Sequence, residues 1–164
     1  MAAFDLIEQQ ILGSQATAVT FSSIPATYAH LYLQITAEAD YSDEPMYVQF
    51  NNDTNSNYTW FRYYSYGGTS SAGIQYEDSE SYISMGDAIS QTVVGEIELW
   101  IPNYADTSKW KNTVSKIWNY KWWSQGGGAW KNTAAISTLK VYQPKSNNLD
   151  SGGQYNLWGL KDSN

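Results

Sequence analysis

Apolar and polar residues alternate without a break over residues 31–37, and this pattern constrains the fold more than any other feature. Every second position of that segment is apolar: Leu31, Leu33, Ile35 and Ala37. A period of two is typical of a strand with one buried face. Residues 46–50 and 93–101 alternate in the same way, and the polar face of the second segment carries Glu96, Glu98 and Trp100. The chain is therefore predicted to consist of strands that are buried on one side.

Eight or nine strands of this kind are predicted, separated by turn residues, with no helix in the interior of the chain. Residues 111–123 carry apolar side chains at both odd and even positions and are predicted to form one long strand. The glycines at 67–68 are expected to open a polar loop that ends near residue 75, and those at 126–128 are expected to turn the chain. The pattern predicts an all-β fold, specifically an antiparallel β-sandwich.

The chain of 164 residues is predicted to hold one β-sandwich domain over residues 17–164, preceded by an N-terminal arm or short helix over residues 1–16. Phe4, Ile7 and Ile11 have helical spacing, although an extended arm fits them equally well. No apolar run is long enough for a membrane helix, so membrane insertion is not expected. Cysteine is absent, which leaves packing and self-association as the sources of stability.

Two phrases in the chain resemble a module found in accessory virion proteins of tailed bacteriophages. The first is F-x-x-I-P-x-x-Y-x-x-L, which begins at Phe21, and the second is F-N-x-D-x-x-x-N-Y, which begins at Phe50. Residues 134–160 resemble the closing pair of strands of the same module, with an aromatic–glycine pair near the end. The resemblance spans nearly the whole chain, and its motifs are structural.

The resemblance implies a sandwich of the jelly-roll type and a place on the virion. The leading expectation is a non-enzymatic capsid decoration or cement protein that forms a homo-oligomer, specifically a trimer. Its partners would be its own copies and the major capsid protein or another virion protein. The alternative is a receptor- or carbohydrate-binding protein of the tail or capsid surface, whose ligand would be a host surface glycan.

Charge is distributed unevenly along the chain. Residues 1–108 contain fourteen acidic residues and one basic residue, whereas residues 109–164 contain eight lysines and two aspartates, and the formal net charge is −7. Nucleic acid is not an expected partner, because phosphate binding needs clustered lysine and arginine. The uneven distribution fits contact between the acidic half of one copy and the basic half of the next, neighbouring strands of opposite sign, or mixed solvated faces.

No catalytic residue, cofactor or metal ligand is predicted. His30 is the only histidine and cysteine is absent, so neither a nucleophile–histidine pair nor a zinc site is expected. Glu96 and Glu98 share a predicted strand face with Trp100 and could flank a sugar, but carboxylates on a solvent face are the default for such a strand. Asn51, Asp53 and Asn55 alternate as calcium ligands do, yet a self-bonded turn explains this loop more simply.

The aromatic residues that follow residue 117 are the candidate site: Trp118, Tyr120, Trp122, Trp123 and Trp130. In one regular strand, Trp118, Tyr120 and Trp122 would lie on the same face. Such rings could form a stacking platform for sugars, the centre of a subunit interface, or ordinary core. The sequence leaves all three interpretations open.

Overall fold

The structure is a computed structural model that describes residues 4–39, 45–67, 71–87 and 93–161. Within these ranges the chain forms twelve strands and one single-turn 3₁₀ helix at Pro144–Ser146. In chain order the strands are β1 (Phe4–Ile11), β2 (Ala18–Phe21), β3 (His30–Ala37), β4 (Met46–Phe50), β5 (Tyr58–Tyr66), β6 (Ser71–Glu80), β7 (Ile83–Gly86), β8 (Gly95–Pro102), β9 (Lys111–Trp118), β10 (Trp122–Trp130), β11 (Leu139–Tyr142) and β12 (Gln154–Leu160). Among the described residues, no helix is long and apolar enough to cross a membrane.

The strands form two antiparallel sheets. The large sheet has eight strands in the order β1-β12-β3-β8-β9-β10-β5-β6, and the small sheet has four in the order β2-β11-β4-β7. Strand β7 of the small sheet contacts β5, β9 and β10, so the small sheet covers one face of the large sheet. We call that covered face the inner face and the opposite one the outer face. This arrangement confirms the predicted antiparallel β-sandwich with a jelly-roll-like fold.

The core lies between the two sheets. The alternating apolar residues of β3 point inward, and Leu31, Leu33 and Ile35 are fully buried. Val48 and Val141 of the small sheet are buried against them from the other side. Burial of a side chain of this size contributes roughly 1.5–3 kcal/mol, so the inner faces supply most of the driving force for folding.

The N-terminal segment is a strand of the large sheet, which corrects the prediction of a separate arm or short helix over residues 1–16. Strand β1 pairs with β12 along its whole length, and Phe4 lies opposite Leu160. A bulge between Leu6 and Glu8 shifts the register by one residue. The bulge explains why the apolar spacing resembled a helix, because one extra residue breaks the period of two.

Three further segments differ from the prediction, and two of them, together with β1, raise the strand count to twelve. The predicted long strand over residues 111–123 is a hairpin, in which β9 ends at Trp118 and β10 begins at Trp122. The glycines at 126–128 lie inside β10 and do not turn the chain. Strand β6 begins at Ser71, so residues 71–75 of the predicted polar loop are strand, and residues 68–70 of it lie outside the described residues.

The residues that carry the resemblance are mostly core residues. Phe21, Leu31 and Phe50 are fully buried. Tyr28 packs its ring against the backbone of Gly159, where an added Cβ atom would lie 2.4 Å from the ring. These phrases therefore preserve the packing of the sandwich, and the surface that could bind a ligand lies elsewhere.

Candidate functional site

The five aromatic residues predicted as a cluster do not form one surface. Trp118 and Trp123 are register partners across the β9–β10 hairpin, and both are exposed on the outer face. Tyr120 lies at the tip of that hairpin and is 69% exposed. The side chain of Asn119 turns the chain there, because its Oδ1 accepts hydrogen bonds from the backbone N–H groups of Lys121 and Trp122.

Trp122 and Trp130 point to the inner side. Trp122 packs against Tyr64 and Tyr66, with ring centroids 6.4 and 4.5 Å away. Trp130 is only 1% exposed and belongs to the core. The expected alignment of Trp118, Tyr120 and Trp122 on one face is therefore wrong, because the chain reverses between the first and the last of them.

The Asn51–Asn57 loop is held by its own hydrogen bonds. The carboxylate of Asp53 accepts hydrogen bonds from the backbone and side chain of Asn55, from Nδ2 of Asn57 and from Nε1 of Trp130, at 2.8–3.0 Å. Burial alone would raise the pKa of Asp53, but these bonds together outweigh burial and hold its pKa at about 2. The carboxylate therefore serves the turn as an acceptor. No cluster of three metal-ligating side chains occurs among the described residues.

A row of register partners crosses all eight strands on the outer face. Aromatic residues occupy five of its eight positions, and the rest are aliphatic or glycine. In strand order this outer row consists of Leu6, Trp158, Tyr32, Trp100, Val114, Gly127, Phe61 and Tyr76. Neighbouring strands lie about 4.8 Å apart, so seven intervals span about 34 Å.

A polar row runs beside the outer row on the same face, about two residues away along each strand. Six consecutive strands contribute a hydrogen-bonding or charged side chain to it: Gln9, Asn156, Gln34, Glu98, Lys116 and Gln125. The phenol of Tyr32 bonds to Glu98, and burial together with this carboxylate raises the pKa of Tyr32. The outer face thus presents an apolar track and a polar track in parallel.

Gly127 leaves a groove in the outer row. The groove has a volume of about 720 Å³, and Phe61, Tyr76 and Val114 are among the residues that line it. A Cβ atom on Gly127 would lie 2.6 Å from the carbonyl oxygen of Thr113 on β9, so glycine lets the strands approach closely. The missing side chain also opens the floor of the groove between Val114 and Phe61.

Two smaller depressions continue the groove along the outer row. One, of about 410 Å³, is lined by Tyr32, Glu98, Trp100, Val114 and Lys116. The other, of about 250 Å³, is lined by Phe4, Tyr32, Gln34 and Trp158. Val114 borders the groove and the first depression, and Tyr32 borders both depressions. The three hollows therefore form a continuous series across the sheet.

The residues considered for catalysis have structural partners. Nδ1 of His30 accepts a hydrogen bond from the backbone N–H of Asn103, and its ring lies 5.2 Å from that of Trp100. Glu96 accepts a hydrogen bond of 2.9 Å from the hydroxyl of Thr36. Glu96 and Glu98 lie on the same side of β8, as the sequence predicts, so they stand beside each other and do not face each other across a bond.

The acidic and basic parts of the sequence meet within one chain. Lys131 lies 2.6 Å from Asp78, and Lys161 lies 2.5 Å from Asp5. Glu98 is the register partner of Lys116. The second and third of these pairs lie on or directly beside neighbouring strands, so they support the explanation by neighbouring strands of opposite sign.

The site residues that sequence reasoning missed are Tyr32, Phe61, Tyr76, Gly127 and Trp158. Tyr32, Phe61 and Trp158 alternate with buried residues, which is the signal that marks an outward-facing side chain. The residues on both sides of Tyr76 in β6 are exposed and Gly127 has no side chain, so this signal marks neither of them. Only the order of the strands in the sheet brings these positions into one row.

Comparisons with known proteins indicate resemblance at the level of fold alone. No family model matches the chain, and no curated protein matches it. Among solved structures, the chain is similar to the alginate lyase Aly36B, with 7% identity, a TM-score of 0.39, and coverage of 94% of this chain and 79% of that one. It is also similar to a xylan β-1,4-xylosidase from Bacillus halodurans C-125, with 7% identity, a TM-score of 0.33, and coverage of 82% and 28%. At these values no activity is transferred to the present chain.

Proposed function

We propose that this protein is a non-enzymatic glycan-binding protein of a phage virion surface, and that it binds its ligand on the outer face of the large sheet. The observation that carries the proposal is the pairing of the outer row with the polar row. A sugar ring has an apolar C–H face and a rim of hydroxyl groups. The outer row offers rings on which the C–H face can stack, and the polar row offers donors and acceptors for the hydroxyl groups.

Other kinds of partner fit this face less well. The centre of a protein–protein interface is depleted of charge, but Glu98 and Lys116 lie in the middle strands of the large sheet. Nucleic acid would bring phosphates against Glu96 and Glu98 on a chain of net charge −7. Small five-stranded barrels that bind oligosaccharides on a strand face show that a sheet face can serve as a saccharide site.

The absence of catalysis is part of the proposal. His30 and Glu96 are held by structural hydrogen bonds, and Glu96 and Glu98 lie on the same side of one strand. Glycoside hydrolysis needs two carboxyl groups that flank the scissile bond. We therefore expect bound glycans to be released intact, as judged by the lack of new reducing ends after prolonged incubation.

The test is a glycan array followed by titration calorimetry with the best ligand. Trp100→Ala and Phe61→Ala remove rings on the two sides of Gly127 and should each weaken binding about 10-fold. Tyr120→Ala is the matched control, because Tyr120 is more exposed but lies at the hairpin tip, and it should bind as wild type does. Binding that survives both outer-row variants, or no binding to any glycan, would contradict the proposal.

A second candidate is the capsid decoration protein that the resemblance implies, assembled as a trimer. One observation favours it: Phe4, Leu6 and Ile11 of the edge strand β1 are about half exposed. Trp118 and Trp123 form a further exposed patch that could lie in such an interface. Light scattering of the purified protein and the copy number in virions test this candidate. A monomer present in a handful of copies would exclude it, and hundreds of copies would favour it over a receptor-binding role.

A further inference from the structure

The outer row and the polar row indicate the class of the ligand and its orientation, an inference that rests on the proposed function. The outer row runs across the strands, and its three hollows follow one another from β12 to β6. These seven strands span about 29 Å, since six intervals of about 4.8 Å separate them. This length exceeds that of a single sugar ring several-fold. The face therefore has the dimensions of a site for a chain of sugars.

The rings form two groups with a gap between them. Trp158, Tyr32 and Trp100 occupy three adjacent strands, and the centroids of the last two lie 6.4 Å apart. Phe61 and Tyr76 occupy the two adjacent strands beyond Gly127. Val114 and Gly127 separate the groups, so the groove has Val114 at one end, Phe61 and Tyr76 at the other, and a low floor at Gly127. A chain that stacks on both groups has to cross the groove.

The charges of this face favour an uncharged chain. Lys116 is the one cation of the polar row, and its register partner Glu98 opposes it directly. Glu96 adds a second carboxylate in the next row of the same strand. The remaining polar-row residues are amides, which serve hydroxyl groups as donors and as acceptors. An acidic polymer would bring a carboxylate with each unit to a face that has no surplus of positive charge.

We propose that the outer face binds an extended, uncharged polysaccharide that runs across the strands from Trp158 to Tyr76. The polar row lies along one side of the bound chain and sets its orientation through the hydroxyl groups. The groove over Gly127 accepts the central sugar unit, and the two aromatic groups hold the units on either side.

The charge class is tested with soluble polymers of known charge. Neutral probes are dextran, galactomannan and hydroxyethyl cellulose, and acidic probes are polygalacturonate and hyaluronate. We expect binding to at least one neutral polymer, unchanged between low and high NaCl, and no binding to the acidic ones. Preferred binding to an acidic polymer, lost in high salt or in Lys116→Gln, would overturn this inference and leave the glycan-binding proposal intact. Failure of every neutral and acidic polymer would overturn both.

The orientation is tested with variants at the two ends of the outer row. Trp158→Ala and Tyr76→Ala should each weaken binding of a long oligosaccharide about 10-fold. The shortest oligosaccharides that bind should respond to only one of the two variants. Equal loss for every chain length, or loss from one end alone at every length, would overturn the crossing path. Thermal melting of each variant identifies any loss that comes from unfolding, and Trp158→Thr, which keeps a strand-forming side chain but no ring, then replaces a destabilised Trp158→Ala.

Discussion

The indole Nε1 of Trp130 donates a hydrogen bond of 2.8 Å to the carboxylate of Asp53, which ties the end of β10 to the loop that follows β4. The bond joins the large sheet to the small sheet across 77 residues of sequence. Tyr58 reinforces the same corner, because its ring stacks on Trp130 and its hydroxyl bonds to the backbone of Phe50. Asp53 is thus the residue through which the Asn-rich loop contributes to the sandwich.

Substitution of Asp53 by alanine should lower the free energy of unfolding by about 1–3 kcal/mol. The substitution removes the acceptor of the nearly buried indole N–H of Trp130 and of three donors in the loop. Urea unfolding at neutral pH measures the loss. Asp106→Ala is the matched control, because the carboxylate of Asp106 also accepts hydrogen bonds in its turn, but from the exposed Ser108. An equal loss in both variants would contradict the special role of Asp53.

Stability should fall as the pH drops from about 4 to about 2, and Asp53 should contribute to this fall. Its folded pKa of about 2 lies below the ordinary value of 3.8, so the unfolded chain takes up the proton first. The stabilisation is therefore complete above the unfolded pKa and is lost as the pH falls through the folded one. Asp53 is partly exposed, which reduces its share to on the order of 1 kcal/mol.

Comparison of wild type with Asp53→Asn isolates this contribution, because asparagine has nearly the same shape and no charge. Urea unfolding at a series of pH values should give a shallower decline for the variant over that range. Parallel declines in the two proteins would show that other carboxylates account for the effect.

Replacement of Lys111 by methionine should destabilise the protein by about 2–3 kcal/mol. Lys111 is 1% exposed, and its ammonium group donates to the carbonyl oxygens of Asp106, Lys109 and Thr133. Burial lowers the pKa of this lysine, and the three carbonyls would lack a donor in the variant. Lys116→Met, at an exposed position of the same strand, should change the stability by less than about 0.5 kcal/mol. Similar values for the two variants would show that the three hydrogen bonds of the Lys111 ammonium group do not stabilise the fold.

Replacement of Gly159 by alanine should cost about 1–3 kcal/mol, because the new methyl group would overlap the ring of Tyr28. Gly13→Ala is the control, since no atom lies within 4 Å of the position of its Cβ. That variant should be unchanged or up to about 1 kcal/mol more stable. Thermal melting of both proteins decides the matter, and a neutral Gly159→Ala would mean that Tyr28 moves aside without loss.

The fold class could be predicted from sequence because burial on one face imposes a period of two, as in Leu31, Leu33 and Ile35. The number of strands could not, for two physical reasons. The turn between Trp118 and Trp122 uses an asparagine side chain in place of glycine or proline, so the hairpin resembles one strand. The glycines at 126–128 allow close approach of neighbouring strands, and this use of glycine has the same sequence signature as a turn.

The candidate site was only partly predictable. The alternation of β8 correctly placed Glu96, Glu98 and Trp100 on one face. Neighbouring aromatic residues in the sequence suggested a cluster near Trp122, whereas the outer row collects single residues from eight strands. Tyr32 and Trp158 are adjacent in the sheet and 126 positions apart in the chain. No local sequence pattern indicates that residues so far apart are neighbours.

The pairing of Phe4 with Leu160 places the first and last described strands side by side at the edge of the large sheet. Because the two strands are antiparallel, a segment fused before Phe4 and one fused after Leu160 would leave from the same corner of the molecule. A short linker could join these two ends, and new ends could be opened at an exposed position such as Gly13, since termini that lie close together tolerate circular permutation. In the unpermuted chain, by contrast, fusion partners attached at these two strand ends would stand side by side at one corner of the large sheet, next to the hollow that Phe4 lines.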